Sequence, residues 1–422
     1  MKLFALILFL LMYVIMIALP KRRVLAAIIT AVIFLISGIM PLGEVPGAIN
    51  WNVLMMMAGT MILVHFFIVS KMPNRIADLL LDKSKNVMWV TIFMSLFAGV
   101  ISAFIDNVAT VLMVAPVGLA ICKKLKISPV PMLLSIAVSS NLQGAATLVG
   151  DTTSIMLGAY ANMDFTNFFW MKGRPGMFFA VELGAVATVP IMMILFRKER
   201  RPVHADEMTE VSDYVPSFLL IGMVAALIVA SFVPEKPDVT NGVLCMIFAA
   251  AAVVYDLIRT RDRMNSKNAL LSIDLQTLLL LTALFVIIAG ITEVGIIDDF
   301  SDWIVKVGGN NLFLLYTIVV WGSVIISAFV DNIPYVATML PVLTAVCASL
   351  NIEPYLLYFG LLTGATLGGN LTPIGASANI AAVGMLKQNG YEVSFKEFMR
   401  IGLPFTLTAV TVGYLFIWFV WH

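Results

Sequence analysis

The chain has little charge and few cysteines for its length. Charged side chains make up 12% of its 422 residues, whereas a soluble domain carries roughly 25%. The formal net charge is only +1, which gives no reason to expect a nucleic acid as a partner. Cys122, Cys245 and Cys347 lie far apart in apolar surroundings and show no metal-ligand spacing. We interpret them as packing residues, so that neither disulfides nor a cysteine metal site is expected.

Hydrophobic residues make up 61% of the chain, which is typical of a protein that crosses a membrane many times. A crossing helix needs about 20 apolar residues. Residues 3–19 could form the core of a signal peptide, but the basic residues follow this segment at 21–23. We therefore interpret it as a retained helix. The continuous candidate crossings are 3–19, 24–40, 51–70, 175–196, 216–233, 240–258, 273–292 and 402–421.

Four further apolar segments are interrupted by polar residues. Segments 87–122 and 311–349 are broken in the middle by Asp-Asn, and they are predicted to be re-entrant hairpins. Segments 131–161 and 355–387 are broken by glycine-rich stretches, and they are predicted to be interrupted transmembrane helices. Non-helical backbone is tolerated at membrane depth only where protein buries it or where it lines a water-filled cavity. The four interruptions therefore mark the expected site.

The distribution of lysine and arginine predicts the orientation of the chain. If each hairpin returns to the side from which it enters, the chain makes ten crossings and both termini lie outside. Of the 26 Lys and Arg residues, 21 then fall in segments predicted to lie inside, as the positive-inside rule requires. If such a segment made two full crossings instead of a re-entrant hairpin, both of its ends would still lie on the same side of the membrane. The charge distribution therefore does not decide between these alternatives.

The interruptions occur twice at one spacing. Asp331 follows Asp106 at the same distance along the chain as Gly375 follows Gly150. We call this distance the repeat spacing. Segment 51–70 is predicted to run inwards and its counterpart 273–292 outwards, so we expect inverted repeats in an all-α polytopic membrane protein. The expected parts are N-terminal helices at 1–48, repeat 1 at 49–196, a cytoplasmic connector with two linking helices at 197–272, and repeat 2 at 273–422.

The hairpin tips and the glycine-rich breaks carry the candidate ion- or substrate-binding site. A carboxylate at membrane depth is costly and usually serves a function. Helix capping is the simpler alternative for the tip residues, but it does not by itself explain their duplication. Glycines let the backbone approach a ligand closely, and Ser, Thr and Asn oxygens suit a hard cation or a hydrogen-bonded solute. The candidates are Asp106, Asn107, Thr110, Asn141, Gly144, Thr147, Gly150, Asp151, Asp331, Asn332, Thr338, Gly369, Asn370, Thr372, Gly375, Ser377 and Asn379.

One position differs between the two copies. Asp151 aligns with Ala376, and neither the tips nor the breaks contain Lys or Arg. The predicted site thus holds three carboxylates, which suits protons, sodium or a neutral solute, and a buried, clustered carboxylate can carry a proton. His65 and Glu182 are weaker candidates for a proton or ion role, because a packed histidine and an isolated glutamate have simpler structural explanations.

Four phrases in the tips and breaks resemble those of a known family. They are similar to the ion transporter superfamily, in the branch that holds arsenite permeases, bacterial sodium/proton antiporters and the melanosomal P protein, and the resemblance extends over residues 24–422. The phrases are Asp106-Asn-Val-Ala-Thr-Val-Leu-Met-Val-Ala-Pro-Val, Ser140-Asn-Leu-Gln-Gly-Ala-Ala-Thr-Leu-Val-Gly-Asp151, Asp331-Asn-Ile-Pro-Tyr-Val-Ala-Thr-Met-Leu-Pro and Gly368-Gly-Asn-Leu-Thr-Pro-Ile-Gly-Ala-Ser-Ala-Asn379.

The resemblance implies a homodimer in which a transport domain moves against a fixed scaffold, as an elevator. In the related dicarboxylate/sodium symporters the tips read Ser-Asn-Thr and bind sodium and substrate together with the facing loop. By this resemblance Asn107 and Asn332 take the Asn role, and Asp106 and Asp331 replace Ser. Sodium would lie near Asn107, Gly150, Asn332 and Gly375. No other cofactor is implied, and the expected location is a bacterial inner membrane.

These observations favour a secondary active transporter coupled to H⁺ or Na⁺, and in particular a cation/proton antiporter. A permease for arsenite, antimonite or another anion, such as a carboxylate, is the nearest alternative. A channel fits less well because facing hairpins suit alternating access. An intramembrane aspartyl protease would leave the duplicated asparagines and the glycine-rich breaks without a role. We therefore expect no enzyme activity, and we expect the partners to be a small solute and the lipid bilayer.

Overall fold

A computed structural model of the chain describes residues 1–203, 208–261, 263–309 and 311–422. Part of the predicted connector, residues 204–207, and residues 262 and 310 lie outside this description. The described chain is almost entirely helical, which confirms the predicted all-α class. A helix satisfies its backbone polar groups within its own segment, as lipid requires.

The first half of the chain contains ten α-helices in the described residues. A two-stranded antiparallel hairpin, β1 (Trp170–Met171) and β2 (Arg174–Pro175), lies between the last two of them. The helices are α1 (Lys2–Ala18), α2 (Arg23–Ile36), α3 (Val45–Ala48), α4 (Trp51–Val69), α5 (Met72–Asp82), α6 (Val87–Ser102), α7 (Asn107–Leu125), α8 (Val130–Gln143), α9 (Thr152–Tyr160) and α10 (Met177–Leu195).

The second half continues in the same way within the described residues. Its helices are α11 (Val215–Ala230), α12 (Thr240–Thr260), α13 (Arg263–Leu271), α14 (Leu275–Glu293), α15 (Ile296–Gly308), α16 (Leu312–Ser327), α17 (Asn332–Leu350), α18 (Tyr355–Gly368), α19 (Ser377–Gln388) and α20 (Phe395–Trp421). The last helix is longer than the predicted crossing 402–421. It begins at Phe395, where Ser394 caps it by accepting the N–H of Glu397 at 3.2 Å.

Seven helices of the described chain are long and apolar enough to cross a membrane, and α15 with α16 would count together as an eighth, bent span. Two of the seven, α7 and α17, are the return arms of the predicted hairpins. Length and apolarity therefore do not distinguish a hairpin arm from a crossing. The seven are α4, α7, α10, α12, α17, α20 and the run from α13 to α14.

The repeat spacing found in the sequence also separates the helix bounds. Helices α16, α17 and α18 start and end at this same distance after α6, α7 and α8, respectively. The breaks correspond as well, since a 3₁₀ turn at Gly144–Ala146 has its counterpart at Gly369–Leu371. The two segments therefore share the same local fold at corresponding positions.

The helices form two packed groups. In the first group, α4 packs on α12, α2 packs on α14, and α1 and α11 lie against these pairs. In the second group, α6 packs on α8, α16 packs on α18, and α10 packs on α20. The hairpins and the breaks all belong to the second group. Helices α4 and α14 of the first group face α9 and α17 of the second, and the candidate site is therefore expected where the two groups meet.

Candidate functional site

Each break is bonded to the hairpin of its own half. The buried hydroxyl of Thr147 donates to the carbonyl oxygen of Ala103, at the end of α6. The hydroxyl of Thr372 donates in the same way to the carbonyl oxygen of Ala328, at the end of α16. Both carbonyls belong to helix ends, which lack intrahelical partners. The threonines thus hold each hairpin tip against its break.

Two glycines allow backbone carbonyls to crowd around the breaks. A Cβ atom on Gly150 would lie 2.5 Å from the carbonyl oxygen of Gly144 and 2.6 Å from that of Ser102. A Cβ atom on Gly375 would lie 2.6 Å from the carbonyl oxygen of Gly369 and 2.8 Å from that of Ser327. No side chain fits at either position without moving the backbone. Each half therefore concentrates hard oxygen atoms beside its hairpin tip.

Buried amides connect the two halves to each other. The side chain of Asn141 accepts a hydrogen bond from Asn107 at 2.9 Å. It donates to the carbonyl oxygen of Thr366 at 2.7 Å and to Oδ1 of Asn370 at 3.1 Å. Asn370 returns a bond to the carbonyl oxygen of Val138 at 2.8 Å. The two breaks are consequently joined in the core of the second helix group.

A cavity of about 540 Å³ lies at the junction of the two groups. Its mouth is formed by exposed residues of the α1–α2 turn and the start of α14, including Lys21, Ser272 and Asp274. Its inner end is formed by buried residues of the tips and of the first break. Five predicted site residues line it, namely Asp106, Asn107, Asp151, Asn332 and Ser377.

The carboxylates of the cavity have different partners. Asp106 accepts the N–H groups of Val108 at 3.0 Å and Ala109 at 3.1 Å, so it caps α7. Asp151, which is 3% exposed, accepts the hydroxyl of Thr153 at 2.9 Å and the amide of Asn332 at 3.4 Å. The second half has Ala376 at the position of Asp151, so only the first break brings a carboxylate to the cavity. Asn332, in the tip of the second half, donates a hydrogen bond to this carboxylate.

Arg23 is a site residue that the sequence prediction missed. Its guanidinium forms an ion pair with the carboxylate of Asp331, which also accepts the hydroxyl of Ser377 at 3.2 Å and the N–H of Ile333 at 3.1 Å. Arg23 lines the cavity. The expectation that the site lacks basic groups holds for the tips and breaks as sequences, but it is wrong for the folded site. The two partners are 308 residues apart, so no local sequence pattern predicts the contact.

Twelve of the seventeen predicted site residues do not line the cavity, among them Thr110, Thr338 and Asn379. Thr110 is buried in the first hairpin, where its hydroxyl lies 3.4 Å from the carbonyl oxygen of Ile105. Thr338 bonds the hydroxyl of Tyr13 at 2.7 Å on α1. Asn379 donates to the carbonyl oxygens of Gly369 at 3.0 Å and Thr372 at 3.1 Å. Within the described chain its Oδ1 atom is buried without a hydrogen-bond partner.

The weaker candidates His65 and Glu182 do not line the cavity either. Nε2 of His65 lies 3.4 Å from Oδ1 of Asn265, and the amide of Asn265 donates to Asp256 at 2.8 Å. This chain of contacts ties α4 to α12 and α13. Glu182 is partly buried on α10, in the helix pair with α20. We therefore interpret His65 as a residue that positions α13.

The described residues contain no group of three or more His, Cys, Asp or Glu side chains that could hold a metal ion. A bound cation would instead depend on the backbone carbonyls of the breaks, the amides of the tips and single carboxylates. Ligands of this kind suit hard cations, which take oxygen donors.

Comparison with known proteins gives the chain its relatives. The sequence matches the family described as citrate transporter over residues 11–357 and, in a second overlapping match, over residues 246–422. An uncharacterized transporter of Mycobacterium tuberculosis is 27% identical over 384 residues, which cover 88% of this chain and 86% of the relative. Another uncharacterized transporter, from Synechocystis, is 27% identical over 423 residues, covering 93% and 91%.

The human P protein is 27% identical over 444 residues, covering 86% of this chain but only 53% of the P protein. The chain thus spans about half the length of that relative. The match confirms the resemblance inferred from the tips and breaks. Among solved structures, the YdaH transporter of Alcanivorax borkumensis superimposes with a TM-score of 0.62 at 13% identity, covering 89% of this chain and 86% of that one. This likeness is one of fold.

Proposed function

The chain belongs to the citrate transporter family, and we propose that it is a secondary active transporter that exchanges a small cation for protons across the membrane. Its family and its membrane-spanning helices make it a membrane transporter. The coupling to H⁺ or Na⁺ and the identity of the cation are the parts proposed here. The residues proposed to bind the ions are the hairpin tips and breaks.

The charge balance of the cavity is the observation that carries this proposal. Asp106, Asp151 and Asp274 line it, and Asp331 lies next to it behind Arg23. The cavity lining contains two basic side chains, Arg23 and the exposed Lys21, compared with these four carboxylates. A buried carboxylate must be paired, hydrogen-bonded or protonated. Carboxylates in excess over basic groups therefore favour a cation or protons as ligands.

The oxygen-rich surroundings of the tips support sodium as the coupling ion. The carbonyl oxygens of Ser102 and Ala103 crowd Gly150, and those of Ser327 and Ala328 crowd Gly375. Asn107 and Asn332 line the cavity. Ends of broken helices and their unwound carbonyls coordinate Na⁺ in other transporters. We therefore propose one sodium position near each tip.

The two helix groups support an elevator mechanism. We propose that the group around α4, α12 and α14 is the scaffold, that the group with both hairpins moves against it, and that two copies form a dimer through their scaffolds. The cavity mouth, formed by the α1–α2 turn and the start of α14, lies on the side that the positive-inside rule assigns to the cytoplasm. The structure then corresponds to an inward-open state with inverted repeats, in a bacterial inner membrane with both termini outside.

A second candidate is the transport of a carboxylate anion together with cations. The family description names citrate, and the guanidinium of Arg23 could bind a carboxylate bidentately. The excess of aspartates would then hold the accompanying cations. Arsenite is a weaker alternative because no described residue of the cavity lining favours it over other small solutes.

Proton flux in proteoliposomes tests the proposal. Vesicles with an acidic lumen and an internal pH dye should turn alkaline when Na⁺, Li⁺ or K⁺ is added outside, for at least one of these cations. Vesicles with an Asp106→Asn/Asp331→Asn double variant serve as the control and should stay silent. Uptake of labelled citrate, without proton flux driven by any of the three cations, would establish the second candidate instead.

A further inference from the structure

Arg23 forms an ion pair with the aspartate of the second hairpin tip, whereas the aspartate of the first tip has backbone partners. The carboxylate of Asp106 lines the cavity and takes hydrogen bonds from two backbone N–H groups of its own helix. The carboxylate of Asp331 is paired with Arg23. Within the described residues, no Lys or Arg forms such a pair with Asp106. Arg23 begins α2, which precedes both of the segments related by the repeat spacing.

Of the two partners in the ion pair, Arg23 is the one that lines the cavity. Asp331 does not line it, although its neighbours Asn332 and Ile333 do. The two side chains are 22% and 14% exposed. A cation that enters through the mouth therefore contacts the guanidinium of Arg23 at the second tip. At the first tip it contacts the carboxylate of Asp106. Because Arg23 directly follows the exposed Lys21 and Arg22 at the α1–α2 turn, its long side chain can turn towards solvent and release Asp331.

We propose that Arg23 is a tethered counter-ion, which neutralises Asp331 in the cation-free protein and which an incoming cation must displace. This inference rests on the proposed function, because it supposes that the natural ligand is a cation. Arg23 would thereby lower the apparent affinity of the site for cations. It would also stabilise the empty carrier in the state in which α2 and the second hairpin are in contact.

The second hairpin does not depend on Arg23 for its position. The hydroxyl of Tyr13 donates to the carbonyl oxygen of Pro334 at 2.7 Å and lies 2.7 Å from the hydroxyl of Thr338. These neutral bonds hold the start of α17 against α1. Removal of the guanidinium should therefore free the Asp331 carboxylate while the hairpin stays in place.

Cation titration of purified protein in detergent tests the inference. The melting temperature is followed against Na⁺, Li⁺ and K⁺ in parallel, with choline holding the ionic strength constant. Arg23→Gln should lower the half-saturating concentration of the transported cation about tenfold, the effect expected when a charge-assisted hydrogen bond no longer competes. Arg23→Lys should behave like the wild type because it retains the tethered charge.

Arg22→Gln is the matched control, because it removes the same charge from the neighbouring exposed position. It should titrate like the wild type. In an Asp331→Asn background, the further substitution Arg23→Gln should make no difference, since the carboxylate for which the cation and the guanidinium compete is gone. An unchanged or weakened affinity in Arg23→Gln, or an effect that survives in the Asp331→Asn background, overturns the inference.

The outcomes separate this inference from the proposed function. Normal cation-driven proton flux with no effect of Arg23→Gln refutes the tethered counter-ion and leaves the antiporter standing. The expected titrations without any proton flux refute antiport and leave the competition standing. If none of the three cations stabilises any variant, the competition is refuted, and the flux assay alone decides the function.

Discussion

We propose that each hairpin tip uses one aspartate for two purposes, helix capping and ion binding. Asp106 and Asp331 accept the first N–H groups of α7 and α17, which is the task of an N-cap. Both also stand at or beside the cavity. Capping and ion binding are thus compatible, and the two interpretations of the sequence need not compete. The difference between them is the negative charge, because an N-cap needs only an oxygen acceptor.

Replacement of Asp106 by Asn separates the two purposes. Asparagine caps helices about as well as aspartate, so the melting temperature should change little. Cation-driven proton flux in proteoliposomes should fall by at least about tenfold, because the site loses a charge that directly faces the ligand.

Asp106→Ala is the companion variant, which should lose the flux and also about 1 kcal/mol of stability through the missing cap. Wild-type flux in Asp106→Asn would show that the carboxylate serves as a cap alone.

The sequence was informative about residues whose chemistry is unusual for their surroundings. Asp106, Asn107, Asp151 and Asn332 stood out as polar residues within apolar segments, and the structure brings them to one cavity. Arg23 did not stand out, since it belongs to an ordinary basic cluster after a first helix. Its role as a neighbour of Asp331 follows from the packing of α2, and single-sequence patterns carry no information about such long-range contacts.

At the level of elements, the breaks were predictable because their cause is local. Glycines and Pro373 interrupt an apolar segment at the point where the helices end. The start of α20 was not predictable from apolarity, because Lys396, Glu397 and Arg400 belong to the same helix as the membrane-spanning residues. Hydropathy indicates the part of a helix that lies in lipid, whereas capping by Ser394 determines where the helix begins.

Alanine at either break glycine should destabilise the protein. In Gly150→Ala and Gly375→Ala the new methyl group would collide with backbone carbonyl oxygens at 2.5 and 2.6 Å, and such overpacking costs about 1–3 kcal/mol. Thermal or denaturant unfolding in detergent measures the loss.

Gly384→Ala is the control in the interrupted helix of Gly375, since no atom of the described residues outside its own stretch of helix lies within 4 Å of the added carbon. It should leave stability unchanged or raise it by up to about 1 kcal/mol, because alanine favours helix. Equal stability of all three variants would mean that the carbonyls around the breaks can move apart freely.

At the level of the whole molecule, the order of helices and hairpins was predictable, while their assembly was not. Apolar segments and their interruptions account for the long helices, whereas the shorter helices α5, α13 and α15 lie between the predicted segments. The division into two groups arises from which helix packs on which, for example α2 on α14 across most of the chain. This arrangement decides that the cavity lies between the groups and that one of its walls comes from residues before the first hairpin.

Cysteine labelling tests the orientation and the open side of the site. The native Cys122, Cys245 and Cys347 are buried, so their background should be low. A membrane-impermeant maleimide should label Ser272→Cys at the mouth and Ser377→Cys in the cavity from the cytoplasmic side, because both residues line the cavity, which we propose to be open to the cytoplasm.

Asp238→Cys provides the comparison, since Asp238 is exposed in a separate groove by the α11–α12 loop. It should react only from outside. Labelling of Ser272→Cys from outside would reverse the proposed orientation, and labelling of Ser377→Cys from outside alone would place the site in an outward-open state.

The amide bridge between the breaks has a consequence for how the protein is made. The side-chain NH₂ group of Asn141 donates to acceptors 225 and 229 positions further along the chain. At a synthesis rate of about 5–20 residues per second, these partners emerge on the order of ten seconds or more after Asn141 itself. During that interval the first break holds unsatisfied polar groups inside the membrane, where such groups are costly. The newly made first half must therefore be sheltered by water or by the insertion machinery until the second half arrives.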